Sequence, residues 1–159
     1  VLYRPPKMKT LQPLIEAGRG RDRVQLAPAT LGGVRLLLKA LRRGEAVGIL
    51  PDQVPGNGEG VWAEFFGRPA YTMTLVGKLA ESTGATILMA AAVRLPDGTG
   101  YAIQFTRFDG NPSGKDGPRA LNAAIERLVS LEPAQYLWSY NRYKVPSGAM
   151  PPPASRDEG

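Results

Sequence analysis

Apolar residues recur with helical spacing in several stretches of the chain. The spacing predicts helices over residues 31–43, 72–83 and 119–131, and a weaker one over residues 10–18. The apolar side chains expected on the buried side of the first helix are Val34, Leu37, Leu38 and Leu41. Thr30 precedes this helix as a candidate N-cap, and Gly44 follows it as a stop signal.

Extended runs lie between these helices. Strands are predicted at 1–6, 24–28, 46–50, 61–66, 86–95 and 101–108. The runs at 46–50 and 86–95 are apolar nearly throughout, which is typical of parallel strands buried on both faces, whereas 101–108 alternates as an antiparallel strand does. The alternation of strands and helices favours an α/β fold with a mostly parallel central sheet flanked by helices. The Pro-rich residues 146–159 predict a disordered tail.

A candidate site follows the predicted strand at 46–50, where Pro-Asp-Gln leads into the glycine-rich run "GNGEG". Ligands of open α/β sheets bind beyond the carboxyl ends of strands, so Asp52 and Gln53 are candidate site residues. The alternative is that Asp52 only caps a turn. Glu59 and Glu64 are interpreted as solvated or edge charges.

The adjacent residues Phe65 and Phe66 form a second unusual feature. Successive side chains of a regular strand point to opposite faces, so both rings cannot point inward. Either one ring faces an apolar ligand or a bilayer, or both pack around a bulge.

The amino-acid composition limits the side chains that are available for catalysis and metal binding. The 159 residues include no histidine and no cysteine, which excludes an imidazole base, a cysteine nucleophile and disulfides. Neither a metal site nor a cofactor is expected. No apolar run approaches the roughly 18 residues that a membrane span needs. The chain by itself therefore looks poorly equipped for catalysis.

The formal net charge is +6, which favours a polyanionic partner, although many soluble proteins are as basic. On the predicted first helix, Arg35, Lys39 and Arg42 share the side opposite the leucines. This basic face is either simply solvated or a binding surface for anionic lipid headgroups or for an acidic carrier protein.

An alternative function rests on aromatic residues interleaved with cations near the end of the chain. They are Tyr136, Trp138, Tyr140 and Tyr143, with Arg142 and Lys144. Such rings could stack nucleic-acid bases. No RNA-recognition, KH or helix-turn-helix signature accompanies them, and the basic residues form no single stripe, so nucleic acid is not the expected partner.

Three segments together resemble a known family: "VLYRP", "LLKALRRGEAVGILPDQVPGNGEGVWAEFFGRPAYTMTLVGKLAESTGA" and "QYLWSYNRYK". They are similar to the later blocks of the bacterial lipid A biosynthesis acyltransferases, the lauroyl and myristoyl transferase group. The resemblance implies a glycerolipid acyltransferase-like fold and an enzyme on the cytoplasmic face of the inner membrane of a Gram-negative bacterium. It also implies transfer of a fatty acyl chain from acyl carrier protein to a hydroxyl of a lipid A precursor.

The family's general base is the histidine of a His-x-x-x-x-Asp (or Glu) motif, which this chain lacks. The resemblance therefore implies that residues 1–145 are the C-terminal part of an acyltransferase domain, incomplete and inactive alone. It gives Asp52 a supporting role in catalysis and makes Arg4, Gln53, Arg68 and Arg142 candidates for substrate binding. Trp138 also matches the family pattern, with packing as its expected role, whereas Met89 departs from a common proline. A scaffold without a site is the remaining alternative.

Overall fold

The computed structural model describes residues 1–3, 10, 17, 24–56 and 58–153. Arg4, most of the predicted helix at 10–18 and the last six residues of the predicted tail lie outside the described residues. The chain divides into two compact units, Val1–Leu50 and Pro51–Gly159.

The first unit contains one short parallel sheet and one helix. Strand β1 (Leu2–Tyr3) pairs in parallel with β2 (Ala27–Pro28), and helix α1 spans Leu31–Arg42. The α1 N-cap is confirmed, because the Gly33 amide donates to the Thr30 hydroxyl over 3.3 Å. Glycine is required at position 33, since a Cβ there would lie 1.8 Å from the Pro28 carbonyl oxygen.

The prediction of a buried parallel strand at 46–50 is wrong. These residues have no strand assignment, and Leu50 is 56% exposed. Within the described residues the run forms one backbone hydrogen bond, from the Leu2 amide to the Gly48 carbonyl at 2.9 Å. A strand needs a ladder of such bonds to a neighbour, and an apolar run does not show whether the neighbour is present.

The second unit begins with an antiparallel hairpin. Strands β3 (Gly60–Phe65) and β4 (Arg68–Met73) are joined by a two-residue turn at Phe66 and Gly67, whose φ angles are 47° and 72°. Two successive positive φ angles are typical of the type I′ turn, whose twist matches that of a hairpin. The alternative in which both rings pack around a bulge is wrong, because Phe65 is buried in the strand and Phe66 occupies the turn, 40% exposed. The alternative in which one ring faces an apolar ligand or a bilayer stays a prediction.

Helix α2 (Leu75–Thr83) ends at the left-handed Gly84, and helix α3 spans Gly117–Leu131. Between them, β5 (Leu88–Arg94) pairs with β6 (Tyr101–Arg107) in antiparallel register. The antiparallel nature of β6 is confirmed. The prediction that 86–95 is a parallel strand buried on both faces is wrong, because its side chains alternate between buried or half-buried and exposed.

The described residues form an α/β fold, but the sheets differ from the prediction. They make three two-stranded sheets, of which two are antiparallel and the parallel one is only two residues long. The mostly parallel central sheet is therefore not what the described residues show. The core of the second unit is formed by side chains of the β3–β4 hairpin, β5, α3 and Phe108. Its buried members are Phe65, Ala70, Met89, Phe108, Leu121, Ala124, Ile125 and Val129.

None of the helices within the described residues is both long enough and apolar enough to cross a membrane.

Candidate functional site

Asp52 lies in a turn at the start of the second unit, half-buried, beside the exposed Gln53. The Asp52 carboxylate forms no hydrogen bond or ion pair with another described residue. The loop that carries it is nevertheless fixed, because the buried Val54 donates its amide to the Tyr140 hydroxyl at 2.9 Å. The Asp52 carboxylate is therefore available to an external partner, while a hydrogen bond holds the backbone of its loop.

The Tyr140 hydroxyl belongs to a segment that we call the downstream segment, residues 136–144. The downstream segment and Phe65 line a cleft of about 240 Å³. The lining residues of the segment are Tyr136, Trp138, Ser139, Tyr140, Asn141, Arg142 and Tyr143. The Tyr136 and Trp138 rings meet edge to face with centroids 4.9 Å apart, and the indole N–H of Trp138 donates to the Pro133 carbonyl at 2.7 Å. The cleft is thus predominantly aromatic.

Arg142 is among the residues that line this cleft, but it is only 2% exposed and donates only to neutral groups of the protein. One terminal nitrogen, Nη1, donates to the Tyr71 carbonyl at 2.8 Å. The other, Nη2, donates to the Thr72 hydroxyl at 2.9 Å and to the Asn122 side-chain oxygen at 3.2 Å. These bonds join the downstream segment to strand β4 and helix α3. The predicted contact of Arg142 with substrate stays a prediction.

Asn122 completes this buried polar network, which we call the arginine anchor. Its amide nitrogen donates to the Thr72 hydroxyl and the Glu64 carbonyl, both at 2.9 Å, and both Asn122 and Thr72 are fully buried. The Tyr143 hydroxyl adds a bond to the Phe65 carbonyl at 3.0 Å. The sequence analysis missed Asn122 and Thr72. The available signal was an amide residue next to Leu121 on the apolar side of α3.

The arginine anchor contains a cation with no carboxylate in ion-pair range among the described residues. Burial lowers the pKa of Arg142, and charge interactions with Tyr136, Tyr140 and then Asp52 oppose that shift. Burial also raises the pKa of Tyr136, and the charge of Asp52 raises it further. The Nε of Arg142 is buried without a partner among the described residues. Asp52 and Arg142, which are far apart in sequence, are therefore electrostatic neighbours.

Arg68 lies at the exposed start of β4. Its guanidinium carbon is 4.2 Å from the centre of the Tyr143 ring, a cation–π contact. The structure thus brings Arg68 onto the downstream segment that also holds the Asp52 loop and contains Arg142. In the first unit, Arg35, Lys39 and Arg42 are all exposed on α1, as expected for the basic face.

A family model described as bacterial lipid A biosynthesis acyltransferase matches residues 1–145. The chain is 32% identical over 149 residues to the lipid A biosynthesis palmitoleoyltransferase of Escherichia coli K12, covering 88% of this chain and 49% of that protein. It is 29% identical over 119 residues to the lauroyltransferase of the same organism, covering 72% and 39%. A lipid A biosynthesis acyltransferase of Haemophilus influenzae is 26% identical over 150 residues, covering 91% and 47%. The chain spans about half the length of the curated relatives it matches.

Proposed function

Because the chain belongs to the bacterial lipid A biosynthesis acyltransferase family, we propose that it is the downstream part of an enzyme that acylates a lipid A precursor. The proposal includes the expected domain division, in which residues 1–145 complete an acyltransferase domain and residues 146–159 form its tail. In the complete domain, the strands of this chain would join a larger, mostly parallel central sheet of the glycerolipid acyltransferase type.

The proposed reaction is transfer of a fatty acyl group from the thioester of acyl carrier protein to a hydroxyl of the precursor. The acceptor oxygen attacks the thioester carbonyl, the ester C–O bond forms, and the C–S bond breaks to release the carrier thiol. The hydroxyl proton must pass to a base, and a base positioned in this way typically contributes 10²–10⁴-fold. With no histidine among the 159 residues, the proposal places this base on an upstream segment.

Asp52 is the residue of this chain that we place closest to the reaction. Its carboxylate has no partner among the described residues, while the Val54–Tyr140 bond of 2.9 Å fixes the loop around it. This single observation carries the assignment. Asp52 would hold the acceptor or orient the upstream base, and Gln53 would contact the same substrate.

The proposed roles of the arginines differ. Arg68 is exposed and positioned over Tyr143, so its N–H groups remain available for a phosphate of the precursor. Arg142 donates through both terminal nitrogens to the protein, which supports a positioning role at the cleft over direct binding. Arg4 keeps its expected role in substrate binding on the resemblance alone.

The basic face of α1 supports peripheral attachment to an anionic membrane surface, proposed to be the cytoplasmic face of the inner membrane. Arg35, Lys39 and Arg42 are exposed side chains of one helix. A basic residue near an anionic surface contributes on the order of 1 kcal/mol. The nucleic-acid alternative loses support from the burial of Arg142, which cannot reach a phosphate backbone.

Acyl transfer by this chain and by a chain extended upstream to the relatives' length tests the proposal. Asp52→Asn in the extended chain should lower transfer from acyl carrier protein by about 100-fold or more, the scale of an acid–base contribution. Asp97→Asn is the matched control, since Asp97 is exposed at a turn with φ of 58°, which asparagine also adopts.

Two outcomes would contradict the proposal. Full activity of Asp52→Asn would support the scaffold alternative. Robust transfer by the 159-residue chain alone would overturn the assignment of the base to an upstream segment.

A further inference from the structure

The hairpin of β5 and β6 carries an apolar surface on the side that faces away from the core. We call this surface the bare face; its residues are Leu88, Ala90, Ala92, Tyr101, Ile103 and Phe105. Ile103 is 64% exposed and Phe105 67% exposed. In the antiparallel register, Phe105 lies opposite Ala90 and Ile103 opposite Ala92, so the exposed apolar side chains are contiguous.

The opposite side of the same hairpin meets the core along β5, whereas Gln104 and Thr106 of β6 on that side are exposed. Met89 is buried in the core cluster with α3 residues such as Leu121. The contrast between the two sides of β5 follows from strand geometry, because alternate side chains point to opposite faces and only one face meets the core. A contiguous exposed apolar surface on a soluble protein marks an interaction site.

No third strand pairs with the outer edges of this hairpin within the described residues, where the sheet contains only β5 and β6. At the end of β5, the Arg94 amide donates to the Gln135 side-chain oxygen and the Arg94 carbonyl accepts from the Gln135 side-chain nitrogen. A two-stranded hairpin is marginal in water without further strands or a packed layer. Both the edges and the bare face therefore lack the neighbours that a stable sheet requires.

The composition of the bare face argues for a protein layer as its cover. Ala90 and Ala92 are small and leave room for a close backbone approach. The charges on this side, Arg94 and Arg107, lie at opposite ends of the hairpin. The chain also spans 49% and 47% of the lengths of two relatives, so about half of their chain has no counterpart here.

We infer that the bare face is the interface with the rest of an acyltransferase of this family: an amphipathic layer from its other half packs on Ile103 and Phe105. The inference rests on the proposal that this chain is part of a longer enzyme. The inference adds the surface on which the other half of the enzyme packs, and its test does not depend on acyl transfer.

Cysteine labelling tests the interface, since the chain has no cysteine of its own. Ile103→Cys and Phe105→Cys are made separately in the 159-residue chain and in the chain extended upstream to the relatives' length. Maleimide should label both rapidly in the short chain and at least about 10-fold more slowly in the extended chain. Thr106→Cys is the matched control, an exposed position on the other face of β6, and should label rapidly in both chains.

Hydrogen exchange of the unsubstituted chains gives a second readout if a cysteine variant fails to fold. Amides of Tyr101–Arg107 should exchange more slowly in the extended chain. Equal labelling and equal exchange in the two chains would overturn the interface. Protection in the short chain that grows with protein concentration would also overturn it, in favour of a second copy. Protection of the extended chain only with anionic vesicles would overturn it in favour of a bilayer.

Acyl transfer by the same extended chain is measured separately. Protection without activity would leave the interface standing and count against the proposed function; activity without protection would do the reverse.

Discussion

The two antiparallel hairpins of the second unit have the same topology and different surroundings. The first, Gly60–Met73, which we call the anchored hairpin, holds Phe65, Thr72 and Tyr71 against α3 and the downstream segment. The second, Leu88–Arg107, which we call the bare hairpin, meets the core only through one side of β5 and exposes most of its other side chains. The difference teaches that strand pairing sets the register of a hairpin, whereas the layers packed on it determine how much each side chain contributes to stability.

Truncation of equivalent aromatic residues should show the largest difference. Phe65→Ala should lower the free energy of unfolding by about 3–5 kcal/mol, because it removes a ring that is 1% exposed and leaves a cavity. Phe105→Ala should cost less than about 1 kcal/mol in the 159-residue chain, because its ring is already in water. Urea denaturation monitored by circular dichroism measures both. Equal losses would remove the distinction between the hairpins.

Removal of the buried cation should have the next largest effect. Arg142→Ala should lower the free energy of unfolding by about 3 kcal/mol, since charged hydrogen bonds to Tyr71, Thr72 and Asn122 are lost. Arg142→Lys should recover little, because an ammonium group cannot reproduce the planar fork. The matched control is Arg107→Ala on the bare hairpin, expected within about 0.5 kcal/mol of the parent. A neutral Arg142→Ala would show that the arginine anchor does not stabilise the fold.

Removal of a single hydroxyl group should also distinguish the two hairpins, through a smaller difference in the free energy of unfolding. Thr72→Val keeps the shape of the side chain but removes the acceptor for Arg142 and Asn122 and should cost about 2 kcal/mol. Thr106→Val, at an exposed position of β6, should change the free energy of unfolding by less than about 0.5 kcal/mol. Thermal unfolding of the two variants under one buffer condition provides the comparison, and a larger loss for Thr106→Val would reverse it.

A local effect is expected at the candidate site. Tyr140→Phe removes the acceptor of the Val54 amide and should cost about 1 kcal/mol. The amide of Val54 should then exchange faster, while amides of the bare hairpin remain as in the parent. Unchanged exchange at Val54 would mean that the Tyr140 hydroxyl does not hold the Asp52 loop.

The smallest effect is a dependence on alkaline pH. Burial raises the pKa of Tyr136 and of Tyr143 above the ordinary value of 10.0. The folded state therefore binds these phenolic protons more tightly than the unfolded state, so the resulting stability is present below about pH 10 and is lost as the pH rises through the raised pKa values. Tyr136→Phe combined with Tyr143→Phe should flatten the fall in urea midpoint above pH 10. An unchanged slope would contradict this account.

Local signals predicted the helices well, because helical periodicity, the Thr30 cap and the glycines at 44 and 84 act within a few residues. The same local signals wrongly predicted a strand at 46–50, because strand formation depends on a partner strand that is distant in sequence. They also missed β4, because Pro69 argued against a strand and the Phe66-Gly67 turn lacks the usual Asn or Asp.

The same distinction applies to the candidate site. Asp52, Gln53 and Arg68 were proposed as candidates because each lies in a recognisable local pattern, and their roles stay predictions. The arginine anchor was missed because Thr72, Asn122 and Arg142 are separated by 50 and 20 positions along the chain. Only the folded chain shows that these polar groups satisfy one another.

The bond between Val54 and Tyr140 spans 86 positions of sequence. Its consequence is genetic as well as physical: a nonsense mutation shortly before the codon for Tyr140 would leave the Asp52 codon intact and still remove the hydrogen bond that holds the Asp52 loop. The encoded carboxylate would be retained, but its geometry would be lost with the residues downstream.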